Sequence, residues 1–378
     1  FNLSQLSVVK GHVAIMPDAH MGIGCSIGTV FATVGAVVPS TVGVDLGCGM
    51  MATRFPAADS ERLKTDKGFL KSLHDQIRKV IPTGFSEHGR AQSWEGFRDF
   101  PLNRVETVVH GKSTDFEKVM NGKAQAQLGS LGGGNHFIEL CLDEEDKTWL
   151  MLHSGSRGIG NLIGTHYMHR ARNYCNAVNA RRPKDLDWLP LDHPEGQEYI
   201  QAVAWAQAYA RENRHHMMRS LEKLLRSDKT LSKVFFGATK EKLFTVENHH
   251  NFVQPETHFG ESVWVHRKGA VSAQVGEWGI LPGSMATGSY IVQGRGNENS
   301  LCSCAHGSGR RMSRSAAKKQ IPLADVEAAM AGIVGEPAHS VHDEAPQAYK
   351  DLETVMRLQE DLIEQVHRLR PLLNVKGY

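Results

Sequence analysis

The stretch that most restricts this chain is residues 42–50, Val-Gly-Val-Asp-Leu-Gly-Cys-Gly-Met. It sets a carboxylate, Asp45, and a thiol, Cys48, three residues apart on a backbone loosened by Gly43, Gly47 and Gly49. Glycine reaches conformations closed to other residues, so the chain can turn tightly enough to aim both side chains at one point. Carboxylate and thiolate are both metal ligands. The plain alternative is a buried cysteine in a glycine-rich turn, because free cysteine is among the most often buried residue types. Taken alone, the stretch leaves both readings open.

Around this turn there is material for an ample core. The chain has 378 residues, 40% hydrophobic and 22% charged, and one large domain spanning 1–378 is expected. No apolar run reaches the length of a membrane span and no signal peptide is visible, so no membrane partner is expected. The chain begins at Phe1 and not at Met, and trimming of native N-terminal residues is the expectation. A net charge of +2 means that a nucleic-acid partner would be held by a local basic patch and not by bulk charge. Six cysteines at low density need no disulfide scaffold, and Cys302-x-Cys304 is too tight for the usual redox or zinc pair. A reducing, cytoplasmic compartment is the reading.

Periodicity predicts interspersed helices and strands. Strands are expected over 12–17, 28–38, 137–142, 149–153, 243–247, 262–266, 270–273, 280–281 and 290–293, with Asp18-Ala19-His20 in a loop. Helices are expected over 60–81, 114–127, 161–177, 198–226, 323–333 and 352–369. In the longest, Arg211, Arg214, His215, His216 and Arg219 read as a solvated face. Residues 82–111 read as an irregular surface excursion. Without clean βαβ alternation the fold class is α+β, with mixed or antiparallel sheets and flanking helices.

Four more stretches have the composition of sites. Residues 132–139 put Asn135, His136 and Glu139 after a triple glycine, where the alternative is a polar loop before a strand. His153 ends an apolar strand and leads into Ser-Gly-Ser-Arg157, where a lone histidine can equally be structural. In Asn248-His249-His250-Asn251 adjacent imidazoles point to opposite sides if extended, so only one would serve a given metal. Residues 302–314 place His306 in a Gly/Ser loop before Arg310, Arg311 and Arg314, groups suited to phosphate; a capped helix start is the alternative. Together, Asp45, Cys48, His136, His153 and His250 suffice for two divalent ions if the thiolate bridges.

With these stretches in view the chain resembles the RtcB family of RNA ligases. The matching motifs are Met16-Pro-Asp-Ala-His20, Gly43-Val-Asp-Leu-Gly-Cys-Gly49, Gly134-Asn-His-Phe-Ile-Glu139, His153-Ser-Gly-Ser-Arg-Gly158, His250-Asn251, Pro282-Gly-Ser-Met285, His306-Gly-Ser-Gly-Arg310, Ala348-Tyr-Lys-Asp351 and Val375-Lys-Gly377. They run in family order over nearly the whole chain. The resemblance implies the family's α+β fold and a GTP-dependent ligase with two Mn²⁺ ions. Asp45, Cys48 and His136 would hold one metal, and Cys48, His153 and His250 the other. His306 would be the nucleophile toward GTP, with Asp18 orienting it. Asn135, Glu139, Ser284, Ser289, Gly307, Ser308, Gly309, Tyr349 and Lys376 would form the GMP site. Arg157, Arg310 and Arg314 would face the RNA end or phosphates. The implied substrates are RNA ends carrying a 2′,3′-cyclic phosphate or 3′-phosphate and ends carrying a 5′-OH, as in broken or spliced tRNA, with an activating protein as a candidate partner. The chain departs from the family pattern at Gly133, where Thr is frequent, at Ser308, where Ala is usual, and at Ala286, where Gly is usual. The competing readings are a metal-dependent phosphohydrolase of RNA phosphates and a non-catalytic RNA-end binding paralogue.

Overall fold

Strands whose residues are apolar on both faces need cover on both sides, and three adjacent strands of this chain are of that kind. Gly49–Phe55, Phe137–Leu142 and Thr148–Ser154 are buried along almost their whole length. The computed structural model, which describes residues 2–101, 106–109, 112–237 and 242–378, places them side by side in a seven-stranded sheet. The order across the sheet is Phe244–His249, Gly49–Phe55, Thr148–Ser154, Phe137–Leu142, Ile363–Lys376, Ser289–Gly294 and Trp278–Pro282. Every pairing in it is antiparallel, in keeping with the α+β reading.

Alternation along the strands divides their side chains between two cores. Met51, Ile138, Leu140, Leu150 and Leu152 face Leu70, Leu73 and Ile77 of the helix Lys67–Val80, and Met217, Leu221 and Leu225 of the helix Pro194–Ser227. Met50, Phe137, Trp149 and Met151 face the other way, against Ile280, Ile291 and Leu369 of the same sheet. The sheet therefore curls on itself. Its two edge strands meet where Ile280 N–H donates to Asn248 Oδ1 at 2.9 Å, nearly closing a barrel. A four-stranded sheet, Val9–His20, Ile27–Thr33, Glu261–Lys268 and Asn251–His258 in that order, stands beside it.

Several expectations need correction. The helix expected over 352–369 stops at Arg357, and Ile363–Lys376 is a strand at the heart of the large sheet. Its alternation is masked by Pro371, where the register with Phe137–Leu142 slips. The missing N–H of proline is tolerated at such an irregularity but not in a helix interior. Asp18, Ala19 and His20 end the strand Val9–His20 and do not form a loop. The helix 60–81 breaks at Asp66, whose carboxylate caps Lys67–Val80 by accepting from Phe69 N–H at 2.8 Å, while Asp59 caps Ser60–Thr65. The element expected at 114–127 starts as the strand Lys112–Asp115 and turns helical only at Phe116. The strand Asn251–His258 was hidden by Pro255, which sits on a sheet edge where it disrupts least. Arg214 is fully buried and not on a solvated face. Of the excursion at 82–111, residues 102–105 and 110–111 lie outside the described residues.

Candidate functional site

Antiparallel register brings the ends of four neighbouring strands to one place. His249 pairs with Gly49, Gly49 with Ser154, Met50 with His153, and Phe137 with His153. Cys48, His136, His153 and His250 therefore emerge together at the same rim. The turn between residues 42 and 49 fits because its glycines are required. Gly47 has φ +69° and a Cβ there would lie 2.7 Å from Gln207 Cα, while a Cβ on Gly49 would lie 2.1 Å from Asn248 O. Arg214 secures this rim from below by donating to Gly47 O at 3.1 Å, Ser154 O at 3.2 Å and Glu247 Oε1 at 3.1 Å.

The side chains converge closely. Cys48 Sγ lies 3.5 Å from His136 Nε2 and 3.2 Å from His153 Nε2. Asp45 Oδ2 lies 3.1 Å from His136 Nε2, and His250 Nε2 lies 3.3 Å from His153 Nε2. The remote nitrogens of two rings are occupied: His136 Nδ1 is 3.0 Å from Leu131 O and His153 Nδ1 is 3.2 Å from Asn135 O. These carbonyls hold Nδ1–H, so Nε2 of both rings, once free of any proton, would face a bound cation, the arrangement by which carbonyl partners prepare histidine ligands. Burial, then the neighbouring His136, pushes His153 well below the usual imidazole range; burial, then His153 and His306, does the same to His250. Burial opposes the Asp45 carboxylate, but hydrogen bonding from His136 outweighs it and holds the group below its usual range. Imidazoles, a carboxylate and a thiol facing one another fit a divalent cation. Buried Cys48, His136 and His153 could hold a metal ion.

The imidazoles continue in a row. Ring centroids are 5.2 Å apart from His136 to His153, 5.0 Å from His153 to His250, and 5.0 Å from His250 to His306. Carboxylates stand at both ends, Asp45 beside His136 and Asp18 beside His306. Buried Asp18 places Oδ2 2.6 Å from His306 Nδ1, at ion-pair distance though not aligned as a hydrogen bond, and accepts the His306 backbone N–H at 3.1 Å. Gly309, φ +68°, lets the loop after His306 lie on the Asp18 backbone, where a Cβ would fall 1.9 Å from Asp18 O.

His153 and His306 open into a cavity of about 600 Å³. Its wall includes every residue that the resemblance assigns to the nucleotide: Asn135, Glu139, Ser284, Ser289, Gly307, Ser308, Gly309, Tyr349 and Lys376. Arg310 and Arg314 line it too. Arg157 does not; its guanidinium donates to Ser130 Oγ at 3.1 Å and Gly84 O at 3.0 Å, on the far side of His136. Asp45, Cys48, His136 and His250 lie behind the wall, and of the cluster His153 alone reaches the cavity.

Among the wall residues that sequence reading did not assign to the site are Glu344 and Asn374. Glu344 is 2% exposed and accepts from Arg310 at 3.1 Å, from Arg314 at 2.9 Å and from Tyr349 Oη, with Lys376 Nζ 3.7 Å away. Burial resists its ionisation, but Lys376 and Arg314 foremost, with Tyr349 and Arg310, hold its carboxyl below the usual range. Its only sequence signal is an acidic residue shortly before Ala348-Tyr-Lys-Asp351. Asn374 is a polar residue within the apolar run 372–375, a signal obscured when the preceding segment is taken as helix. Glu139, 3% exposed, has its carboxyl pushed up to about 7 by burial, against hydrogen bonds from Cys141 and Asn374 and the charge of Lys376.

Comparison with known proteins bears on the same residues. The family model described as tRNA-splicing ligase RtcB matches residues 1–377. The chain belongs to the RtcB family. It is 42% identical to the RNA-splicing ligase RtcB of Escherichia coli (strain K12), over 100% of this chain and 92% of that protein. It is 31% identical to the RNA-splicing ligase RtcB of Mycobacterium tuberculosis, over 100% and 99%. Against the tRNA-splicing ligase RtcB of Methanococcus maripaludis identity is 29%, over 100% and 90%. RtcB membership thus spans both the imidazole row and the cavity. No helix among the described residues is long and apolar enough to cross a membrane, and all six cysteines are free.

Proposed function

We propose that this chain is a GTP-dependent RNA ligase that joins 2′,3′-cyclic-phosphate or 3′-phosphate ends to 5′-OH ends. The observation that carries the reading is the position of His306, which shares one cavity with the nucleotide-site residues and stands at the end of the row of metal-ligand candidates. Asp45, Cys48, His136, His153 and His250 would hold two divalent ions, Mn²⁺ by family analogy. When bound, such ions offset phosphate charge and ease departure of the leaving group.

This chain's own residues supply the rest. With a proton on Nδ1, a tautomer that the neighbouring Asp18 charge would favour, His306 would present a nucleophilic Nε2. Nε2 attacks the α-phosphorus of GTP; a P–N bond forms and the bond to pyrophosphate breaks. Water opens a cyclic phosphate end to a 3′-phosphate. An oxygen of that 3′-phosphate takes GMP from His306, breaking the P–N bond and freeing the imidazole. The 5′-OH of the second RNA then attacks the 3′-phosphorus, forming the phosphodiester and releasing GMP. Glu139 suits guanine because a carboxylate accepts from N1–H and the exocyclic amine, a donor pair that adenine lacks. Arg310 and Arg314 offer guanidinium groups to phosphates, and Arg157 is the candidate for the RNA side.

The test is incubation with Mn²⁺ and GTP labelled at the α-phosphate. Acid-labile protein label is expected on wild type and absent from His306→Ala. If metal-loaded wild type takes no label yet hydrolyses RNA terminal phosphates, the phosphohydrolase reading replaces this one.

A further inference from the structure

We infer that Asn374 is a positioning residue that sets base selectivity by aiming the carboxylate of Glu139. The inference rests on the guanine-nucleotide reading above. Asn374 and Glu139 are register partners on the adjacent strands Ile363–Lys376 and Phe137–Leu142. Their side chains therefore leave the sheet on the same face, and both line the cavity. Asn374 Nδ2 donates to Glu139 Oε2 at 2.8 Å. Cys141, two residues along from Glu139 and so on the same face, donates Sγ–H to Oε1 at 3.1 Å.

The last torsion of a glutamate is soft, so a carboxylate with no fixed partners samples a broad range of planes. Here each oxygen has its own donor, Cys141 at Oε1 and Asn374 at Oε2, and the plane is held. Each carboxylate oxygen has further lone-pair capacity, which leaves both able to accept from a ligand. Two oxygens in a fixed plane match two parallel N–H donors, the N1–H and exocyclic N–H of guanine. The Asn374 backbone is itself clamped. Its N–H donates to Val334 O at 2.8 Å and the Val334 N–H donates to Leu372 O at 3.0 Å, a cross-link that pins the strand on the side away from Glu139. Asn374 is 2% exposed, and its Oδ1 is buried without a partner. That oxygen is left unsatisfied while the amide N–H reaches Glu139, so the contact to the carboxylate dominates the side chain's orientation.

The test measures binding of GMP, IMP and AMP, which carry no transferable pyrophosphate bond, to the full chain by calorimetry. IMP keeps N1–H and lacks the exocyclic amine. Wild type is expected to prefer GMP over IMP by roughly tenfold, the worth of one hydrogen bond to a charged group. Asn374→Leu, similar in size but without a donor, is expected to lose roughly that factor for GMP and little for IMP, so that the ratio collapses. Asn374→Ser, too short to reach Glu139, is expected to behave alike and serves if the leucine variant does not fold. An unchanged GMP:IMP ratio in the folded variant overturns the inference, as does an equal fall for all three nucleotides, which marks a merely structural contact. Failure of wild type to bind any of them overturns the guanine-nucleotide reading itself, and this inference with it.

Discussion

Asp18 and His306 are 288 residues apart in the chain, yet Asp18 Oδ2 accepts the His306 backbone N–H at 3.1 Å and lies 2.6 Å from the ring Nδ1. One carboxylate oxygen thus addresses both the main chain and the imidazole of a single residue. Asp18→Asn preserves size but removes the charge that favours a proton on Nδ1. The rate of His306 labelling by GTP is expected to fall about 10²–10⁴-fold, the range typical of positioned proton-handling groups, with thermal unfolding little changed. A labelling rate equal to wild type would show that Asp18 does not orient the ring.

Cys48 stands between two imidazoles, 3.5 Å from His136 Nε2 and 3.2 Å from His153 Nε2. A shared ligand predicts that Cys48→Ala loses bound metal at both positions. Metal content after dialysis against Mn²⁺ is expected to drop from about two ions toward none, since each divalent site would lose one of few protein ligands. Chelator should lower the melting temperature of wild type, because a ligand at 100 times its Kd stabilises by about 2.7 kcal/mol, and leave Cys48→Ala unmoved. Retention of one ion by the variant would refute bridging.

Glu344 is the counter-charge of the cavity wall, with Arg310, Arg314, Tyr349 and Lys376 around it. Glu344→Gln keeps the shape but leaves buried Lys376 and half-buried Arg310 without their shared carboxylate, with Arg314 still reached by solvent, so an unfolding free-energy loss of about 3 kcal/mol, the low end for breaking a buried pair, is expected. The pH dependence has a definite sign. The folded-state carboxyl lies below its usual range, so its contribution is present above the ordinary glutamate value of about 4.3 and disappears as pH falls through the folded value. Urea titrations of wild type and variant should differ most near neutrality and converge in acid. A difference that is the same at every pH would exclude Glu344 as an ionised partner.

How much of this was legible depends on what kind of signal each element carries. The strand pair Phe137–Leu142 and Thr148–Ser154 was readable because mainly apolar runs, the first interrupted only by Glu139, flank an acidic turn. The rim residues Cys48, His136, His153 and His250 were readable as chemistry, since thiol and imidazole are metal ligands and sit among Gly, Ser or Asn. Their convergence was not, because it depends on register among four strands from three distant parts of the chain. Ile363–Lys376 was misread for a related reason. Leu352, Val355 and Met356 set a helical period that Leu362 and Ile363 happen to continue, and only the sheet decides against it. Arg214 looked like surface charge because nothing local records that Glu247, Gly47 and Ser154 enclose it. Glu344 lies in an irregular segment where periodicity carries no information at all.

Glu139 supplies the last expectation. Burial pushes its carboxyl up to about 7, while Cys141, Asn374 and Lys376 work in the other direction. Between the ordinary glutamate value of about 4.3 and about 7 the folded chain keeps a proton that the unfolded chain has released, so Glu139 makes folding less favourable as pH rises across that window. On the proposed reading of the cavity, guanine binding would run the opposite way. Two N–H donors require the carboxylate, so binding must expel the proton wherever Glu139 is protonated. Affinity for GMP is expected to rise by up to about tenfold per pH unit below 7 and to level off above it. Calorimetry near pH 6 in buffers of different ionisation heat should record release of close to one proton, and Glu139→Gln should abolish both the release and most of the affinity. Affinity that stays flat from pH 5.5 to 8 in wild type would mean that this carboxylate does not meet the base.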